Sequence, residues 1–204
     1  MKIGIIGAGG FGREVFWSLL PEERKDAMFF VDDEYYTFGS DTLPLSMFNP
    51  NLYKVVVAVG DPCDRKRIIE SLPKETVYFT HIHSSVQILG DDVEIGEGSI
   101  ICAGSILTTN IKIGKHAQLN LQTTIGHDCV IEDFFTTAPG TKISGNVNIG
   151  ECVYFGTNSS IKQNLSVCNK VTIGMNSGVT KNINESGTYI GVPAKKYEYE
   201  IKTE

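Results

Sequence analysis

From Leu89 through Ile95, Ile101 and Leu107 to Ile173 and Val179, every sixth residue is a large apolar one, with Thr137 the sole departure. Four residues after each sits a second series of mostly small or β-branched side chains, among them Ser99, Ala117, Thr123, Cys129, Val147 and Ser177. A period of six is neither the 3.6 of a helix nor the alternation of a flat strand. It is a structural repeat, of the kind that builds parallel β-helices. A short strand carries one aliphatic inward and turns, and three such strands close a triangular coil. No hexapeptide can bury its apolar face alone, so the core exists only once coils stack. Five coils are expected, beginning at Leu89, Leu107, Ile125, Ile143 and Ile161. A β-sandwich would show alternating strands with turns every 8–12 residues, and this stretch does not.

The chain before the repeat has a different grammar. Lys2–Ile6 reads as a strand, Gly7-Ala8-Gly9-Gly10-Phe11-Gly12 as a loop, and Arg13–Leu20 as a helix ended by Pro21. Met28–Val31, Tyr53–Val59 and Val77–Thr80 read as three further strands, and Asp64–Leu72 as a second helix. Strand–helix alternation predicts a small α/β unit with a parallel sheet over residues 1–80. The repeat and a C-terminal tail then occupy 81–204.

Gly7-x-Gly9-x-x-Gly12 follows a strand and opens a helix, with Asp32 at the end of the next strand. This is the setting in which a glycine loop brings backbone N–H groups and a helix N-terminus to a phosphate. Only about four strands fit before the repeat, so a nucleoside diphosphate suits the unit better than a whole dinucleotide. A glycine turn that merely packs strand on helix is the alternative.

Within each hexapeptide the third position is usually polar and should point outward, which places His127 outside the core. Gly145 lies three hexapeptides on, directly above it, and is expected to leave open space over the ring for a substrate, and Asp128 follows His127 and could hold an imidazole nitrogen. A solvated surface histidine is the plainer alternative. His116, at the fourth position, is expected to be solvated. His81 and His83 share one side of an extended segment, where a metal pair would need further ligands. Asn120 could brace a corner through turn hydrogen bonds. The net charge of −6 argues against nucleic acid as a partner. No apolar run is long enough to cross a membrane, and no signal peptide is evident at the N-terminus. Five cysteines without a CxxC pair read as reduced thiols, which suggests a cytoplasmic setting.

Taken together, the stretches IGIIGAGGFGREV, FFVDDE, VVVAVGDPCDRKRI, IGHDCVIEDF, ISGNVNIG and GVPAK resemble the bacterial left-handed β-helix acyltransferases that modify sugars. They resemble the subgroup with an N-terminal nucleotide-sugar domain: the N-acetyltransferases of nucleotide-linked 4-amino-4,6-dideoxy sugars and the related sialic acid O-acetyltransferases. The resemblance implies a small Rossmann-like domain binding a nucleotide sugar, followed by a left-handed parallel β-helix using acetyl-CoA, without a metal. It implies His127 as general base and Asp128 as its acidic neighbour. Gly145, Thr157, Met175 and Lys195 match contacts along the CoA, and Asn120 lies near the reacting amine. Gly10, Phe11, Gly12, Asp32, Asp33 and Gly60 match the nucleotide-sugar pocket. Thr136 stands where some members carry a second histidine near the thioester, and Asp128 where others carry glutamate. A homotrimer with sites between prisms, working in bacterial surface-glycan or glycoprotein biosynthesis, is the further implication. Sugar O-acetylation and a non-catalytic nucleotide-sugar or NAD-binding module are the competing functional readings.

Overall fold

The computed structural model of the protein describes residues 1–198. Its first part is a five-stranded sheet of β1 (Lys2–Ile6), β2 (Met28–Val31), β3 (Thr42–Pro44), β4 (Tyr53–Val57) and β5 (Val77–Tyr78). The order is β3-β2-β1-β4-β5, and every pairing is parallel. β3 was not predicted: a three-residue strand ending in Pro44 carries too little pattern to be seen. Three helices accompany the sheet, α1 (Gly10–Ser18), α2 (Pro21–Arg24) and α3 (Pro62–Ser71). α1 begins within the glycine loop, earlier than predicted, because Gly9 is already its N-cap. Pro21 opens α2 as its first residue, where a missing N–H costs nothing. α3 also starts on a proline, and the Asp61 carboxylate accepts the N–H groups of Cys63 and Asp64 at 2.9 Å.

The repeat forms three parallel sheets, the faces of a prism. The first face starts at His81–Ile82, the second at Gln87–Ile88 and the third at Val93–Ile95. The second face has six strands, from Gln87–Ile88 to Gly178–Val179, so the solenoid is one coil longer than predicted: it begins one strand before Leu89, at His81–Ile82, and gains the rest at its C-terminal end. Leu89 is not its first inward residue. Leu107 pairs with Ile88 while Ile113 pairs with Ile95, so the first coil holds an extra residue in the Leu89–Asp92 turn. That residue shift leaves Leu89 66% exposed. From Ile101 onward the two inward series are buried as one continuous core. Thr137, the polar exception, is satisfied inside it. Its hydroxyl lies 2.7 Å from that of Thr123 and accepts the Asn120 N–H at 3.0 Å.

The fourth position of the hexapeptide turns the corners. Asn110, His116, Gln122, Asp128, Phe134, Asn146 and their successors up to Asn176 all have φ between 50° and 62°. Asparagine tolerates this left-handed backbone best among residues with side chains, and five of these corners carry it.

The α/β part packs on the first face. Ile100 points out of the solenoid there and is buried with Ile3, Ile5, Val15, Leu19 and Val56. Arg65 of α3 is buried at the same joint, 1% exposed. Its guanidinium donates to the carbonyls of Val59, Gly60, His116, Phe134 and Phe135 and to the Thr136 hydroxyl, at 2.7–3.3 Å. Burial pulls its pKa down to about 9, which leaves it protonated at neutral pH. Lys66 adds an ion pair to Glu151 at 2.7 Å.

His116 is the clearest correction to the sequence reading. It is buried, 5% exposed, between Tyr78 of β5 and Phe134 one coil on, with ring centroids 4.6 and 5.4 Å away. Its corner faces the α/β part instead of water. Burial lowers its pKa to about 4, so the ring is neutral.

Candidate active site

His127 sits on the corner between the strand Thr124–Ile125 of the second face and Cys129–Ile131 of the third. The hexapeptide register turns its side chain outward, and about 63% of it is accessible. Nδ1 lies 2.7 Å from Oδ2 of Asp128. A carboxylate only accepts, so Nδ1 carries the proton, and it is Nε2 that is left to take one up. The left-handed backbone at Asp128, φ 61°, folds its short side chain back to the ring of the residue before it. The other carboxylate oxygen accepts from the Asn110 amide at 2.6 Å. That hydrogen bond first, and the histidine second, hold the Asp128 carboxyl below its usual pKa. Sequence reasoning missed Asn110, although it stands eighteen residues before Asp128 in the same column.

Gly145 is stacked over the imidazole. A Cβ there would lie 2.6 Å from Nε2, so the ring already fills the space the missing side chain leaves. The glycine is therefore required for the histidine's own placement. The far border of the second face is the corner that carries Thr157 and Met175. Met175 is 68% exposed, and the Thr157 carbonyl accepts the Asn176 N–H at 2.8 Å. Lys195 is exposed in the short strand Lys195–Lys196, which closes back antiparallel on Gly187–Ile190. Asn120 braces its corner: its amide oxygen accepts the Leu121 N–H at 2.7 Å.

Thr136 does not face this region. It is enclosed at the joint, accepting from Arg65 at 2.8 Å and donating to the Gly60 carbonyl at 3.0 Å. The resemblance placed Thr136 near the thioester of the CoA; it is instead buried, 4% exposed, in the docking of α3, which corrects that reading.

A cavity of about 420 Å³ lies at the C-terminal ends of the α/β strands, lined by Gly7, Gly9, Asp32, Tyr35, Asp64 and Arg67 among others. Open α/β sheets bind ligands at this end. The named residues of the loop divide between tasks. Gly9 and Gly10 have open space where a side chain would be, whereas a Cβ on Gly12 would fall on the Gly7 carbonyl oxygen. Gly12 thus serves close packing of α1, and Phe11 packs against the core. The Asp32 carboxylate accepts the Asp33 N–H, and that of Asp33 accepts the Ser46 N–H at 3.0 Å. Gly60 lines a second cavity of about 410 Å³, between the start of α3 and the solenoid, with Asp61, Cys63, Tyr154 and Lys170. Tyr35, Asp64 and Arg67 were not singled out from sequence; α3 brings two of them to the cavity at i and i+3.

The remaining histidines have protein partners. His81 Nε2 is 2.7 Å from the Ser18 hydroxyl, and His83 Nδ1 is 2.9 Å from that of Ser85. Among the described residues no three His, Cys, Asp or Glu side chains converge as a metal site. All five cysteines are free thiols, with Cys129 and Cys152 buried. No helix of the described residues is long and apolar enough to cross a membrane.

Comparison with known proteins agrees with this geometry. Residues 2–72 match the family described as the PglD N-terminal domain. The chain is 33% identical over 171 residues to the GDP-perosamine N-acetyltransferase of Escherichia coli O157:H7, covering 78% of this chain and 77% of that one. The chain belongs to the hexapeptide-repeat sugar N-acetyltransferases. Among solved structures of this family, WeeI from Acinetobacter baumannii superposes with a TM-score of 0.83 at 33% identity, over 96% of this chain and 99% of that one. The acetyltransferase domain of PglB from Neisseria gonorrhoeae gives 0.84 at 26%, over 96% and 99%. PerB from Caulobacter crescentus, solved with CoA and GDP-perosamine, shares the fold with a TM-score of 0.86 at 22% identity, over 97% and 98%.

Proposed function

We propose that this acyltransferase moves acetyl from acetyl-CoA to the amine of a nucleotide-linked 4-amino-4,6-dideoxy sugar, with His127 as general base. The observation that carries the reading is the set Asn110–Asp128–His127 with Nε2 turned outward against Gly145. His127 takes the amine proton at Nε2 as the carbon–nitrogen bond forms, and returns it to the thiolate as the thioester breaks. Asp128 keeps the Nδ1 proton in place and stabilises the imidazolium, and Asn110 orients Asp128. The Gly145 N–H meets the acetyl oxygen, a contact typically worth about 3 kcal/mol in the transition state.

The substrates divide between the two parts. The nucleotide lies in the cavity beside Gly9 and Asp32, and the pantetheine arm runs along the second face between the His127 corner and the Thr157–Met175 corner, toward Lys195. The relative that acts on GDP-perosamine makes a GDP-linked sugar the first to try. The unit in solution is a homotrimer in the cytoplasm: the α/β part covers the first face, leaving the other two for neighbouring copies.

The test is thiol release from acetyl-CoA with a panel of GDP-, UDP- and dTDP-linked amino sugars and their hydroxyl counterparts. Release with at least one amino sugar, and mass gain of one acetyl on nitrogen, is the expected result. Release with hydroxyl acceptors alone would overturn N-acetylation, and nucleotide or NAD binding without any release would overturn catalysis.

A further inference from the structure

We propose that Arg65, acting with Gln118, is a positioning residue for acetyl transfer, fixing the nucleotide cavity against the coils that carry His127 and Gly145; this rests on the function proposed above. β4 runs toward the nucleotide cavity, and Val59 just beyond it lines that cavity. Three carbonyls along this stretch are held by side chains at the joint. The Gln118 amide donates to Val57 at 2.7 Å, and Arg65 donates to Val59 at 2.7 Å and Gly60 at 3.3 Å. Gln118 is itself buried, 2% exposed.

The solenoid partners are concentrated in neighbouring coils. Arg65 bonds the carbonyls of His116, Phe134 and Phe135 and the hydroxyl of Thr136. Gln118 starts the coil that carries His127 and Asp128. Thr136 starts the next one, which carries Gly145. The hydrogen-bonding partners of Arg65 at this joint are all uncharged. Burying a guanidinium without a carboxylate costs several kcal/mol in desolvation, and an apolar side chain would fill the joint more cheaply. What the guanidinium supplies instead is direction: five carbonyls and a hydroxyl from two parts of the chain are fixed around one planar fork. A misplacement of about 1 Å between acceptor and base is enough to lower turnover by roughly 10²-fold.

The experiment compares Arg65→Lys and Gln118→Leu with the wild type. Arg65→Lys keeps a cation and loses the fork; Gln118→Leu loosens β4 with Arg65 intact. The expected result is a fall in kcat for the nucleotide-linked amino sugar of about tenfold or more. The KM for acetyl-CoA stays within about twofold in both variants, and nucleotide Kd does so in Gln118→Leu, because Val57 lies outside the cavity wall whereas Val59, held by Arg65, is part of it. Slow transfer to the same amino sugar free of its nucleotide, supplied at high concentration, is unchanged, because an untethered acceptor does not depend on the joint. A variant that melts at lower temperature but keeps wild-type kcat when assayed well below its Tm would overturn the proposal, and so would equal losses with tethered and free acceptors. If Arg65→Lys does not fold, Gln118→Leu decides by the same criteria. A wild-type protein that acetylates no nucleotide-linked sugar would sink the functional reading first, before any substitution is compared.

Discussion

His127 and Asp128 are adjacent in sequence, and adjacent residues in a regular strand point apart. They meet because the corner residue adopts left-handed backbone and sends its side chain back. His127→Ala is expected to lower kcat by about 10²-fold or more, while circular dichroism and Tm stay as in the wild type, since the side chain is outside the core. Near-wild-type turnover would remove it from the mechanism. Asn110→Leu keeps the corner but frees one oxygen of Asp128. The Asp128 pKa is then expected to rise toward its ordinary value, measurable by carboxyl titration in NMR, with a severalfold loss of kcat that grows as pH falls and Asp128 protonates. An unchanged carboxyl pKa would show that Asn110 does not govern Asp128.

At the scale of elements, the glycine loop and the His116 corner make separate claims. Gly9→Ala adds a methyl group into open space at the cavity wall, and is expected to weaken nucleotide binding without lowering Tm. Gly12→Ala drives a methyl group into the Gly7 carbonyl and is expected to destabilise the α/β part whether or not nucleotide is present. Calorimetry of both variants separates the two roles, and the reverse pattern would exclude this division. His116 has a folded pKa near 4 against 6.5 unfolded. Between these values the unfolded chain binds the extra proton, so stability is full above about pH 6.5 and falls as pH drops toward 4, by on the order of 2–3 kcal/mol. His116→Phe should flatten that slope in denaturant titrations. Phe134, one coil on, shows that the left-handed corner accepts phenylalanine at φ 60°. The contrast between His127 and His116 marks the limit of sequence reading. A period of six states which way a side chain leaves the solenoid, and for His127 that was sufficient. It does not state which corner another part of the chain will cover, so His116 and Arg65 were legible only in the docked structure. The same limit applies to Thr136, and Leu89 was misread because one inserted residue shifts the register of the first coil.

At the scale of the whole molecule, two prism faces remain free of the α/β part, and one of them, the second face, is bordered by both the His127 corner and the Thr157–Met175 corner. Sedimentation is expected to give a species of three chains, and dilution below its association range to abolish turnover. A monomer with full activity would defeat a site shared between copies. The last coil carries a different kind of information. A stack of parallel strands has no intrinsic length: its open end offers the same unpaired N–H and C=O groups that every earlier coil offered to its successor. Here Gly187–Ile190 lies parallel on Val171–Ile173, and Lys195–Lys196 then runs back antiparallel to it. The reversal breaks the parallel template, and the exposed Lys195 on this edge strand disfavours another edge, while Lys196 is paired with Glu185 at 2.9 Å. The tail read from sequence as a CoA contact is in the fold a stop. It limits to six coils a growth mode that, left unblocked, leads from a folded enzyme to a fibre.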